Sequence, residues 1–243
     1  MKTKTVRTSA QRLRTMHDWL AAAYGPQHWW PARTAFEVIL GAYLTQNTSW
    51  KAVERSLANL RAAGALSVDG MRTLSLVRLQ KLIRPSGFYT RKAPAIKAFV
   101  AMLDDEFDSS IDRMAKAPTD QLRPRLLALP GVGFETADAI LLYALGHPIP
   151  VADAYLRRIA ERHGLLKPSC SGHRATYTAL VQLTCDAFAH DPPAQQMQLF
   201  NEFHALTVAV GKAHCGTTAR CDYCPLAPDL RAYGPGSAKA WAV

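Results

Sequence analysis

The chain has 243 residues, 49% of them hydrophobic and 20% charged. That is enough to enclose one large core or two small ones, and too apolar for a disordered tail. Lysine and arginine number 29 against 19 acidic residues, a formal charge of +10 that suits a polyanionic partner, because cations that neutralise phosphates release condensed counterions. No run reaches the ~18 apolar residues of a membrane span, the basic N-terminus lacks the apolar stretch of a secretion signal, and five cysteines, three crowded near the C-terminus, do not read as a secreted disulfide framework; a cytoplasmic location is expected.

Helical periodicity dominates from the start. Leu13, Met16, Trp19 and Leu20 share one face, and Phe36, Ile39, Leu40, Tyr43 and Leu44 repeat the pattern. Asn47–Thr48–Ser49 then starts a helix carrying Trp50, Val53, Leu57 and Leu60. Leu74 to Ile83 reads as one short helix ended by Pro85, since the residue before a proline is pushed out of the α region. Lys92 to Leu103 and Asp120 to Leu127 follow. The strongest pattern runs from Phe134 to Leu145, where Ala137, Ile140, Leu141, Ala144 and Leu145 form one buried stripe closed by Gly146 and Pro148. Ala154 to His163, Arg174 to Ala189 and Gln195 to Lys212 complete about ten helices, before an irregular tail rich in Cys, Pro and Gly. The expectation is an all-α protein without a sheet.

Between two of these helices stands Leu129–Pro130–Gly131–Val132–Gly133. Two glycines there permit backbone angles closed to other residues and a close approach to a bulky partner. The amides of Gly131 to Glu135 open the next helix and suit a phosphate oxygen. Downstream, Asp153 immediately precedes Ala154, where a carboxylate caps free amides and stays ionised in the helix dipole.

The run LPGVGFETADAILLYALGHPIPVADAY, residues 129–155, resembles the helix-hairpin-helix and Gly/Pro-Asp signature of the endonuclease III superfamily of DNA glycosylases. That resemblance places Asp153 on the catalytic aspartate and assigns Gly131, Val132, Gly133, Glu135 and Thr136 to DNA contact. Where bifunctional members carry a Schiff-base lysine, this chain has Glu135, and a carboxylate cannot form the imine; the resemblance is therefore to a monofunctional glycosylase. Trp29–Trp30–Pro31 together with FEVILGAYLTQNTSW is similar to the 3-methyladenine glycosylase III branch, which implies a base pocket built from Trp29, Trp30, Pro31 and Trp50. An extruded base needs flat apolar partners, and a cationic alkylated purine gains further from indole faces. Gln46 and Phe88 match positions that distort DNA, one filling the vacated stack and the other wedging between bases.

Cys215-x5-Cys221-x2-Cys224 resembles the iron–sulfur loop of the superfamily, with a first spacing one residue short and Leu230 where a fourth cysteine would fall. The resemblance implies a [4Fe–4S] cluster with an unusual fourth ligand, for which Asp229, His214 and Cys185 are candidates. A zinc ion held by the three cysteines and His214, or no metal at all, are the alternatives. Cys170 and Cys185 read as ordinary intracellular cysteines.

The resemblance implies two helical lobes, residues 36–146 and residues 1–35 plus 147–243, flanking a DNA-binding cleft. The expected activity is that of a monomeric, nucleoid-associated glycosylase that removes alkylated purines, 3-methyladenine foremost, from damaged double-stranded DNA. A glycosylase for oxidised or mismatched pyrimidines and a non-catalytic DNA-binding module are the rival readings.

Overall fold

The computed structural model describes residues 7–30, 32–166 and 172–233; Pro31 and Cys170, both singled out above, lie outside them. The described residues form an all-α structure, with one isolated bridge, Cys215 to Ala219, as their only β-type pairing. No described helix is long and apolar enough to cross a membrane. The chain divides into two compact units, one of residues 30–147 and one of residues 1–29 and 148–243.

The contiguous unit is built around α2 (Ala35–Leu44), which is buried from Phe36 to Leu44, as a helix apolar on every side must be. Its one buried acid, Glu37, accepts from the guanidinium of Arg61. Against it pack α3 (Trp50–Ala62), α6 (Tyr89–Phe107) and α9 (Phe134–Ala139); α4 (Val68–Thr73), α5 (Leu76–Leu82) and α7 (Ile111–Met114) lie on α6, and α8 (Thr119–Ala128) lies on α9. Leu74 to Ile83 is not one helix: Leu74 is extended, and the Ser75 hydroxyl caps a new start by accepting from the amide of Arg78. The apolar spacing alone carried the expectation across that break.

The Phe134–Leu145 pattern also resolves differently. Beyond Ala139 the backbone widens into a π-helical segment, Ile140–Ala144, whose amide from Leu145 reaches back to the carbonyl of Ile140. Gly146, at φ +72°, then ends the element. An apolar stripe that is buried on nearly every side does not distinguish an i→i+4 ladder from an i→i+5 one.

In the discontinuous unit, α1 (Ser9–Tyr24), α10 (Ala154–Arg162), α11 (His173–Ala187), α12 (Pro193–Ala213) and α13 (Ala227–Tyr233) close around Leu13, Met16, Leu20, Ile159, Phe188 and Phe203. The helix α13 falls in the tail expected to be irregular. Helices α10 and α12 approach so closely at Gly211 that a Cβ there would stand 2.2 Å from the Tyr155 ring. The two chain ends are joined by Arg12, which donates to both oxygens of Asp229 at 2.9 and 2.7 Å and to the His163 carbonyl at 2.6 Å. His163 Nδ1 lies 2.9 Å from Asp229 Oδ2, and all three residues are buried.

Removing one partner of such a pair strands a desolvated charge. Arg12→Met is expected to lower the unfolding free energy by about 3–5 kcal/mol. Urea denaturation checks this, and Arg12→Met with Asp229→Leu should cost less than the two single changes added together.

Candidate functional site

In the contiguous unit, Leu129 ends α8 in an extended conformation, and Gly131 adopts φ +73°. A side chain at Gly131 would be strained by that angle and would meet Ala95 Cβ at 3.3 Å. Gly133 is different from expectation: its φ is −96° with ψ near 180°, an extended conformation open to any residue, and nothing lies within 4 Å of where its Cβ would be. Its lack of a side chain leaves open surface at the head of α9 and serves no turn. Val132 is buried beneath the hairpin, whereas Glu135 is exposed in the first turn of α9.

Gln46 is tied to this hairpin. Its Nε2 donates to the Gly131 carbonyl and to the Thr136 hydroxyl, each at 2.9 Å. Phe88 sits at the mouth of α6 in the left-handed region, φ +48°, and is 58% exposed. That combination is costly for a large apolar residue and marks a side chain held outward.

The loops that carry Gln46 and Phe88 share one buried anchor that the sequence did not reveal. Lys92 Nζ donates at 2.8 Å to the Leu44 carbonyl, two residues before Gln46, and at 2.8 Å to the Ser86 carbonyl, two residues before Phe88. Burial lowers its pKa to about 8, because the charged form is the one that loses hydration.

Trp30 meets Trp50 edge-on, with centroids 5.3 Å apart at 83°, and packs against Tyr143 at 5.3 Å. Tyr143 belongs to the π-helical segment and was not anticipated as a site residue. Gly41 of α2 makes room for the Trp30 indole, since a Cβ there would meet its Cζ2 at 3.1 Å. Trp29 lies on the other side of the unit boundary, where Lys212 Nζ is 5.8 Å from its ring centroid.

In the discontinuous unit Asp153 is the N-cap of α10. Its Oδ1 accepts from the Leu156 amide at 2.8 Å, while Oδ2 lies 3.7 Å from His204 Nε2. Both side chains are buried. The carboxylate is thus fixed through one oxygen, and the second faces His204.

At the far end of α10, Arg158 Nη1 donates to the Cys215 carbonyl at 2.8 Å, and Arg162 donates to Cys215 Sγ at 3.0 Å and to the Thr217 carbonyl at 2.8 Å. Cys215, Cys221 and Cys224 line one cavity, with Leu230 on its wall. Burial pushes the Cys224 thiol up, and the nearby Cys215 and Cys221 add to that rise. Among the described residues no three His, Cys, Asp or Glu side chains are gathered closely enough to hold a single metal ion. Two of the candidate fourth ligands are placed elsewhere: Asp229 is held by Arg12 and His163, and Cys185 is not among the residues that line the cavity.

Residues 40–184 match the model of the HhH-GPD superfamily of base excision DNA repair proteins. A Methanocaldococcus jannaschii protein provisionally named a DNA repair glycosylase is 40% identical over 205 residues, covering 84% of this chain and 88% of that one. Endonuclease III of Synechocystis is 25% identical over 199 residues, covering 81% and 82%. Among solved structures, the Helicobacter pylori 3-methyladenine DNA glycosylase MagIII bound to 1,N6-ethenoadenine superposes with a TM-score of 0.72 at 27% identity, covering 85% of this chain and 98% of that one. The chain belongs to the HhH-GPD superfamily and is a DNA glycosylase of that superfamily.

The Lys92 anchor makes a pH prediction. Its folded pKa, about 8, lies below its unfolded value, so between the two the unfolded chain binds more protons and stability rises with pH. Relative to Lys92→Met, which has no titrating group there, the wild type is expected to gain about 1 kcal/mol between pH 7 and 9. Parallel denaturant titrations at the two pH values check this; a gap that narrows with pH contradicts it.

Proposed function

We propose that this glycosylase is monofunctional and releases alkylated purines, 3-methyladenine foremost, from double-stranded DNA. The observation that carries the reading is the aromatic group Trp30, Trp50 and Tyr143, backed by Gly41. It presents electron-rich faces of the kind that a cationic, flat, extruded base pairs with. Gly131, Val132, Gly133, Glu135 and Thr136 form the phosphate-contacting hairpin, and the exposed Phe88 is the wedge. Gln46 braces the hairpin in the free protein and exchanges those bonds for the DNA stack.

Asp153 acts as a fixed carboxylate. As the base leaves, positive charge spreads over the sugar ring, and an anion already held by the Leu156 amide stabilises it without reorganising. The same carboxylate orients the water that adds to the sugar. An alkylated purine already carries a positive charge, so it leaves without strong acid assistance. Glu135 stands where a bifunctional enzyme has its amine, and an imine to the sugar cannot form there. The product is then an abasic site in an uncut strand.

Cys215, Cys221 and Cys224 would hold a [4Fe–4S] cluster, three thiolates around one cavity beside the Arg162 guanidinium being a donor set that fits it. When bound, the group would cross-link the loop between α12 and α13.

Methylated duplex DNA is expected to yield free 3-methyladenine with wild-type protein. Asp153→Asn, which keeps a good N-cap, should stay folded and lose activity by on the order of 100-fold or more. Borohydride should trap no covalent complex. Chromatography of the released bases and denaturing gels of the strand check both points. Release of oxidised pyrimidines alone, or strand cutting with a trapped adduct, would replace this reading with an endonuclease III-like one.

A further inference from the structure

We infer that His163 is the fourth ligand of a [4Fe–4S] cluster held by Cys215, Cys221 and Cys224. This rests on the reading of the cysteine loop as a cluster site, and it assigns a ligand that the cysteine spacing does not contain.

Leu230 occupies the place of a fourth cysteine and lies on the wall of the cavity, where it offers no donor. His163 lines the same cavity and is buried. It follows directly on α10 as the helix's C-cap, one residue after the Arg162 that contacts Cys215 Sγ. Its Nδ1 is engaged by Asp229 at 2.9 Å. A histidine whose Nδ1–H is given to a carboxylate carries its free lone pair on Nε2, and that carboxylate–histidine arrangement is how proteins orient and strengthen an imidazole for a metal.

The ring is held by charged, buried neighbours. Arg12 neutralises Asp229 through both oxygens and fixes the His163 backbone through its carbonyl. Arg12 and Asp229 therefore form a buried ionic network with His163, in which Asp229 holds the imidazole and Arg12 holds both Asp229 and the His163 backbone. His214, the other histidine on the cavity wall, has its Nδ1 3.1 Å from the backbone carbonyl of Arg220 and is the less buried of the two.

Three thiolates and an imidazole line one cavity, a donor set that suits a four-iron cluster; zinc at the same residues is the outcome that the experiment distinguishes.

The test is spectroscopic and independent of base release. Full-length protein is reconstituted anaerobically with ferrous iron and sulfide, assayed for both, reduced with dithionite, and examined by pulsed EPR for nitrogen hyperfine coupling. Four irons and four sulfides per chain are expected, with a coupling that changes on 15N-histidine labelling. His163→Cys should keep the irons and lose the coupling; His214→Gln should keep both. A wild-type cluster without nitrogen coupling overturns the assignment, as does loss of the coupling in His214→Gln; these two measurements decide the matter even if His163→Cys fails to fold. Zinc in place of iron, or no metal after reconstitution, overturns the cluster reading beneath it. Release of methylated bases, measured on the same samples, bears on the catalytic reading alone.

Discussion

The ion pair between Arg12 and Asp229, residues 217 positions apart, ties the first helix to the last inside the discontinuous unit. Apolar packing alone gives α1 a stripe, Leu13, Met16 and Leu20, that fits many partners equally well. A buried guanidinium with both ends of its fork taken by one carboxylate fits a single register. The cost of desolvating the pair is accepted in return for that uniqueness, and Asp229 is held below the usual carboxylate range by Arg12 and His163 against the opposing effect of burial.

From that junction the nine residues of α10 run as a beam. One end is capped by Asp153, and the other carries Arg158, Arg162 and His163 against the cysteine loop. Nine residues of α-helix span about 14 Å, so the cysteine loop cannot act on bonds at Asp153 directly. Gly211 sets how closely α12, which carries His204, lies beside α10, because the Tyr155 ring fills the space a side chain would need.

Much of this organisation was legible in the residues, for a physical reason. Caps and punctuation act locally: Asp153 accepts from the amide three residues on, and Gly146 ends its element with a positive φ, as their types require. What was not legible depends on partners distant in sequence. Lys92 reads as a solvated lysine opening a helix until Leu44 and Ser86 are seen to lend it their carbonyls. Tyr143 stands outside the apolar stripe of its helix, and the switch to π-helical winding leaves no mark on a segment buried nearly all round. His163 reads as the last turn of α10, and only the fold brings Asp229 to its Nδ1. Gly133 errs the other way: its spacing suggested a backbone requirement, yet its angles are ordinary.

The contiguous unit shows why such distant partners matter to a surface that must meet a stiff polyanion. A hairpin on a flexible tether would lose ordering entropy on each encounter. Here the hairpin, the Gln46 loop and the Phe88 loop are cross-braced before any ligand arrives, the first two through the Gln46 amide and the last two through Lys92. The braces differ in kind. The Gln46 bonds lie at a partly exposed surface, where bonds to water or a nucleic acid can replace them at small net cost. The Lys92 bonds are buried, and breaking them would strand two carbonyls and an amine. An exchangeable latch at the surface and a permanent one beneath let the amide of Gln46 leave its hairpin without releasing the backbone that carries it.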